Sequence, residues 1–175
     1  MCGILYKVRN HLTTEAMLSI YYTLCYPHLI YCVSVWACTW PSFLTKLKIV
    51  QNKILRCIFY LGKFESTATV YSEHKLLNFY SIHKCFLLLV IFKNITNQQG
   101  TPIFKLSETS HRTRNNSFNL VCPRYRTTLF KNSIFYSGPK LWNSLPNDIN
   151  NLCNCSNILQ FKIKLKQHLL SLQNS

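Results

Sequence analysis

The chain has 175 residues, with 20 Lys+Arg against 5 Asp+Glu and a formal net charge of +15. With 48% hydrophobic residues it has the material for a core, which excludes compositional disorder. The five acids, Glu15, Glu65, Glu73, Glu108 and Asp148, are scattered, which argues against calcium sites, two-metal phosphoryl transfer and glycosidase carboxylate pairs.

In chain order, residues 1–9 read as the tail of a helix ending near Asn10 and His11. Thr13 is an N-cap, with Glu15 in the first turn where the helix dipole favours an acid. A helix over 15–26 follows, and Pro27 kinks it or restarts it. Residues 28–39 continue as helix, with Leu29, Ile30, Cys32, Val33 and Trp36 on broad apolar faces. Pro41 and Ser42 punctuate, Ser42 capping a helix that runs to about residue 60. Its apolar positions are Leu44, Leu47, Val50, Ile54 and Ile58, and Lys46, Lys53 and Arg56 form a basic stripe on another side. Gly62 fits the position just past that helix.

A short helical turn over 67–77 and a helix over 80–95 come next. Residues 97–117 are polar and read as a long loop. Residues 118–137 are β-branched and aromatic with partial alternation, which predicts two or three short strands. Gly138 and Pro139 then start a short helix carrying Leu141 and Trp142, and Pro146 ends it. Ser156 caps a final helix with an apolar stripe of Ile158, Phe161, Leu165, Leu169 and Leu172, flanked by Lys162, Lys164 and Lys166. The expected fold is mostly α with a small β element in the C-terminal third: a helical bundle, then short strands and a terminal helix. Its expected division is a helical region 1–96, a loop 97–117 and a small α+β region 118–175.

Nine cysteines form an odd set, and MCGILYKVRN at 1–10 has no apolar signal core. This points to free thiols in a reducing compartment, cytoplasmic or nuclear, and not to secretion. There is no CxxC pair, and Cys153 with Cys155 is too isolated to predict zinc, so neither a metal nor a cofactor is expected. Residues 16–45 lack formal charge, and 85–92 is an apolar octet. Both read as buried core helices, so a membrane is not an expected partner.

Catalysis has little to stand on. GxSxG, GxGxxG and GK[ST] motifs are absent, and there are only four glycines. The positive signal is Arg112, Arg114, Arg124, Arg126, Lys131 and Lys140, interleaved with Tyr125, Phe130, Phe135, Tyr136 and Trp142. Basic side chains neutralise phosphates and rings stack on bases. On a strand, Arg124 and Arg126 would share a face. Phe135 and Trp142 read more readily as core.

The run PRYRTTLFKNSIFYSGPKLWNSLPNDI at 123–149 resembles a motif near the C-terminus of reverse transcriptases of jockey-like non-LTR retrotransposons. The matching positions are Pro123, Arg124, Arg126, Ser133, Gly138, Pro139, Trp142, Asn143, Leu145 and Pro146. GILYKVRNHL at 3–12, LSIYYTLCYPHLIYCVSVWACT at 18–39 and LTKLKIVQNKILRCI at 44–58 look like that family's post-palm helices. The Tyr-x-Asp-Asp polymerase motif is absent, and Asp148 is the only aspartate. The resemblance therefore implies a noncatalytic C-terminal fragment, thumb-like helices plus the downstream region. It implies RNA or an RNA/DNA duplex as partner, with upstream polymerase domains if the chain is expressed within a longer protein. Lys46, Lys53, Arg56, Arg112, Arg114, Arg124, Arg126 and Lys131 are the expected nucleic-acid contacts. Two other readings stay open: a helical interaction module without a nucleic-acid role, and a small membrane protein with a span near 16–40.

Overall fold

The computed structural model describes residues 2–96, 103–107, 119–150, 152 and 157–174. They are mostly helical. α1 (Cys2–Val8) closes with a tight turn at Arg9–His11. Thr13 caps α2 (Thr14–Ile20) as expected, its Oγ1 accepting from the Ala16 N–H at 3.3 Å. The chain then widens into a π turn at Tyr21–Cys25 before α3 (Tyr26–Ile30). Pro27 accounts for the widening: it brings no N–H, and its ring crowds the preceding turn of a regular helix. The helix expected over 28–39 is broken at Cys32, which sits at φ 48°, and α4 (Val33–Trp36) restarts beyond it.

α5 (Pro41–Ile58) begins with Trp40 as N-cap and Pro41 in its first turn, so Ser42 is not the cap. Its inward positions include Leu44, Ile54 and Ile58, whereas Val50 is exposed. The helical phase instead turns Gln51 inward, where it is fully buried. Gln51 Nε2 donates to Tyr21 Oη at 3.1 Å and to the Leu77 carbonyl at 3.0 Å. Past the helix, Tyr60 and not Gly62 takes the left-handed position, at φ 55°. Leu61 N–H returns to the Arg56 carbonyl at 3.0 Å, closing a Schellman turn. A tyrosine there carries a backbone cost that glycine would not. Its side chain supplies the compensation: the hydroxyl donates to the Arg9 carbonyl, and the Arg9 guanidinium lies 5.2 Å from its ring.

α6 (Ala68–Glu73) ends in a second such turn with Lys75 at φ 50°. α7 (Phe79–Thr96) runs through the centre of the protein and packs against α4, α5, α9 and α11. By length and composition α7 passes as a membrane span, with mean hydropathy 1.3, and half of it is buried inside the protein. The region 16–40 is divided among short helices and contains none of that length.

Over the described residues 119–137 the expected strands do not form. Among the described residues the only β feature is an isolated antiparallel bridge between Leu106 and Leu120. The segment instead folds as α8 (Thr128–Asn132) and α9 (Ile134–Asn143). Thr127 caps α8, its hydroxyl accepting from Phe130 N–H at 3.3 Å, and Ser133 ends α8 by donating to the Phe130 carbonyl at 2.7 Å. Leu120 is extended, but its peptide partner is a side chain. Asn143 accepts from the Leu120 N–H and donates to its carbonyl, both at 2.9 Å, so a helix satisfies what a strand would have.

Gly138 and Pro139 lie inside α9 and do not start it. A Cβ on Gly138 would come 2.9 Å from Ile91 Cδ1, so the glycine is what lets α9 approach α7. α10 (Asn147–Asn150) and α11 (Ile158–Asn174) complete the chain. Ser156 lies outside the described residues. Asn157 caps α11, its Oδ1 accepting from Leu159 N–H at 3.1 Å and Gln160 N–H at 3.3 Å.

The main core gathers on α7. Phe92 stacks on Phe161 at 4.2 Å, and Trp142 lies 5.9 Å from the same ring. Cys85, Ile91, Phe104, Leu120, Leu165 and Leu169 surround them, drawn from both sides of the 97–117 segment and, with Phe104, from within it. A second cluster joins Leu5, Met17, Tyr21, Leu55, Ile58 and Tyr71, and a third centres on Phe79 and Val33.

Burial also sets a pH window. It pushes the Tyr21 and Tyr26 phenols up to about 12 and raises Tyr71 as well. It lowers the His83 imidazole, with Lys84 adding to the effect. Above pH ~10 the unfolded chain releases phenolic protons that the folded chain keeps, so stability falls as pH rises. Below pH ~6.5 the unfolded chain gains a proton at His83 that the folded chain resists, so stability falls there too. Urea midpoints measured across this range should show a plateau with losses at both ends. Midpoints unchanged between about pH 9 and 11 would contradict the buried phenols.

Candidate nucleic-acid interface

The basic stripe on α5 divides into two roles. Lys46 and Lys53 are exposed and seven residues apart, two turns along one face. Lys46 Nζ lies 5.6 Å from the centroid of the Phe43 ring, which is itself 55% exposed. Arg56 is committed elsewhere. Its Nε and Nη2 both donate to the Glu65 carbonyl, at 3.1 and 3.0 Å, so it clamps the α5–α6 link. A guanidinium held this way is first a structural group and only secondarily a phosphate ligand.

Lys48 escaped the sequence reading because it falls on another face of α5. Its Nζ lies 5.5 Å from the centroid of the Tyr80 ring. With Asn52 it borders a hollow of about 590 Å³ whose other wall carries Ser66, Thr67, Thr69 and Ser72. Hydroxyl, amide and ammonium donors of this kind suit phosphate oxygens.

The second basic region centres on Tyr125. Its ring makes an edge-to-face contact with Tyr136 of α9, centroids 4.6 Å apart, and Lys131 Nζ of α8 lies 5.5 Å from its centroid. Arg124, Arg126 and Lys131 are exposed around it, and Tyr125 is itself 45% exposed. Arg124 and Arg126 stand on irregular chain and not on a strand, so shared strand geometry does not align them. The anchor is the tyrosine between them. Thr127 then starts α8 and brings Lys131 back over the ring. Arg112 and Arg114 lie outside the described residues. Trp142 is fully buried, whereas Phe135 is 47% exposed.

Cys38, three residues before α5, donates its thiol to the Ser34 carbonyl at 3.1 Å. Burial raises the Cys38 thiol, against a smaller lowering effect of the backbone at Ile134. Lys162, Lys164 and Lys166 add exposed charge along α11. The described residues hold no group of three His, Cys, Asp or Glu side chains close enough to share a metal ion. Cys153 and Cys155 lie outside the described residues. What the arrangement offers chemically is neutralisation of phosphates and a ring surface. In comparisons with known proteins, no family model matches the chain, and no curated protein or solved structure matches it significantly.

Proposed function

We propose that this chain is a noncatalytic nucleic-acid-binding module, equivalent to the post-palm C-terminal part of a jockey-like retrotransposon reverse transcriptase. The observation that carries the reading is the exposed cluster of Arg124, Arg126 and Lys131 around the anchored Tyr125 ring. The charge excess of +15 supports it, since so basic a surface attracts polyanions. On this reading RNA or an RNA/DNA duplex is the partner, polymerisation belongs to upstream domains of a longer protein, and the setting is intracellular. Lys46, Lys53, Arg124, Arg126 and Lys131 contact phosphates, and Arg56 shapes the surface beside them.

Filter binding to single-stranded RNA and to an RNA/DNA duplex tests this at two salt concentrations, about 50 and 200 mM. Affinity should fall linearly on a log–log plot, each neutralised phosphate contributing about 0.9 to the slope on a duplex. Lys46→Ala with Lys53→Ala should lower that slope by about 2, and Arg124→Ala with Arg126→Ala by a similar amount. Absent or salt-insensitive binding would sink the proposal.

A further inference from the structure

A cavity of about 200 Å³ lies between the π turn, the α6–α7 link and α11, apart from the Lys46–Lys53 face and the Tyr125 cluster, with the exposed lysines of α11 at its edge. One side is aromatic. Tyr21, Tyr22 and Tyr26 meet edge to face there, with centroids 5.2 Å apart for Tyr21–Tyr22 and 5.6 Å for Tyr22–Tyr26. The π turn builds this wall, because its i→i+5 bond, Tyr26 N–H to Tyr21 carbonyl, brings residues five apart to one side. The other side is cationic: Lys75 from the link, and Lys162 and Lys166 on successive turns of α11. Among the described lining residues there is no Asp or Glu.

Like charges one helical turn apart repel, and here a third lysine faces them. Their field reaches the interior: burial raises the Cys85 thiol to about 11, against the lowering effect of Lys162 and Lys166. The walls are held in place by two glutamines. Gln51 ties Tyr21 Oη to the Leu77 carbonyl. Gln173 donates to the Leu76 carbonyl at 3.3 Å and accepts from Asn78 N–H at 3.1 Å. The left-handed turn at Lys75 is closed by Leu76 N–H to the Tyr71 carbonyl at 3.0 Å. Such a site is organised before a ligand arrives, which lowers the ordering cost of binding.

The space is below the roughly 300–1,000 Å³ of sites for drug-sized ligands, so it suits a single ring. We infer that this cavity binds an aromatic ring bearing a phosphate, a nucleoside monophosphate unit, either free or as an unpaired nucleotide of a single strand. The ring lies against the tyrosines and the phosphate between the lysines. The inference stands on the cavity alone, so it and the proposed duplex-binding surface can fail separately.

Calorimetric titration of the full chain with uridine 5′-monophosphate tests it. Saturable binding is expected, weakened at least about tenfold by Lys162→Ala with Lys166→Ala and at least about fivefold by Tyr22→Leu. These side chains are exposed or half-exposed, and alanine favours helix, so circular dichroism should show the fold retained. Uridine without phosphate, and inorganic phosphate alone, should each bind at least about tenfold more weakly. A 5′-phosphorylated single strand that displaces the mononucleotide assigns a strand nucleotide, and failure to displace assigns the free one. Absence of mononucleotide binding would overturn the inference, as would unchanged affinity in the two-lysine variant. Equal binding of inorganic phosphate or of uridine, or equal displacement by blunt duplex, would also overturn it.

Discussion

Replacing Trp142 by alanine is expected to lower stability by about 3–5 kcal/mol. The indole is fully buried, 5.9 Å from Phe161, which in turn stacks on Phe92 at 4.2 Å. A buried tryptophan removes roughly 200 Å² from water, worth about 5 kcal/mol at 25 cal/mol per Å². Partial collapse of the surroundings recovers some of this, and the residual void takes some back. The three rings come from α7, α9 and α11, so the site has little freedom to close without moving a helix. In a protein of this size the loss corresponds to a fall in Tm of roughly 6–20 °C. Trp142→Phe, which keeps a ring in place, should cost clearly less. A loss below about 1 kcal/mol in urea titrations of Trp142→Ala would mean that the indole does not hold these helices together.

Gly138→Val should cost about 1–3 kcal/mol, even though valine is the better helix former. A Cβ at this position meets Ile91 Cδ1 at 2.9 Å and the Phe104 ring at 3.7 Å. Ile91 is fully buried, so its tip must be accommodated within the core and not in solvent. The added bulk is expected to strain the α9–α7 contact beside Trp142. Ile91→Val removes the colliding methyl and by itself should cost about 0.5–1.5 kcal/mol. Combined, the two substitutions should cost less than their sum, because the second makes room for the first. Strict additivity in the double-mutant cycle would show that the close approach of α9 to α7 is unimportant.

These two residues lie just past the stretch where sequence and structure diverge most. Residues 118–137 carry β-branched and aromatic side chains in partial alternation, and that pattern also suits a helix pressed against a core. Thr127 and Ser133 are cap residues whose meaning depends on which helix they bound. Asn143 decides the matter for Leu120 by occupying both of its peptide groups, a contact across 23 residues that no local pattern contains. Likewise Gly138 and Pro139 look like a helix start in isolation, and only their approach to Ile91 explains a glycine inside α9.

The candidate interface was legible to a similar degree. Helical spacing placed Lys46 and Lys53 on one exposed face, as found. It also placed Arg56 near them, but Arg56 spends its donors on the Glu65 carbonyl. That acceptor is presented by a turn whose path follows from Tyr60 in the left-handed region, held there by Arg9 in the turn after α1. Arg124, Tyr125 and Arg126 stood out as a basic and aromatic motif, whereas the role of Tyr125 as an anchored ring needed Tyr136 and Lys131 in place.

By itself the sequence determined the helical character, the main helices α5, α7 and α11, the Thr13 cap, the disturbance at Pro27 and the excess of positive charge. Each depends on neighbours within a turn or two, where periodicity, capping and ring geometry act directly. Tertiary structure alone decided helix over strand at 128–137, the left-handed turns at Tyr60 and Lys75, and the convergence of three tyrosines with three lysines on one cavity. Those outcomes depend on groups dozens of residues apart, whose packing and hydrogen bonds outweigh the few tenths of a kcal/mol that separate local backbone preferences.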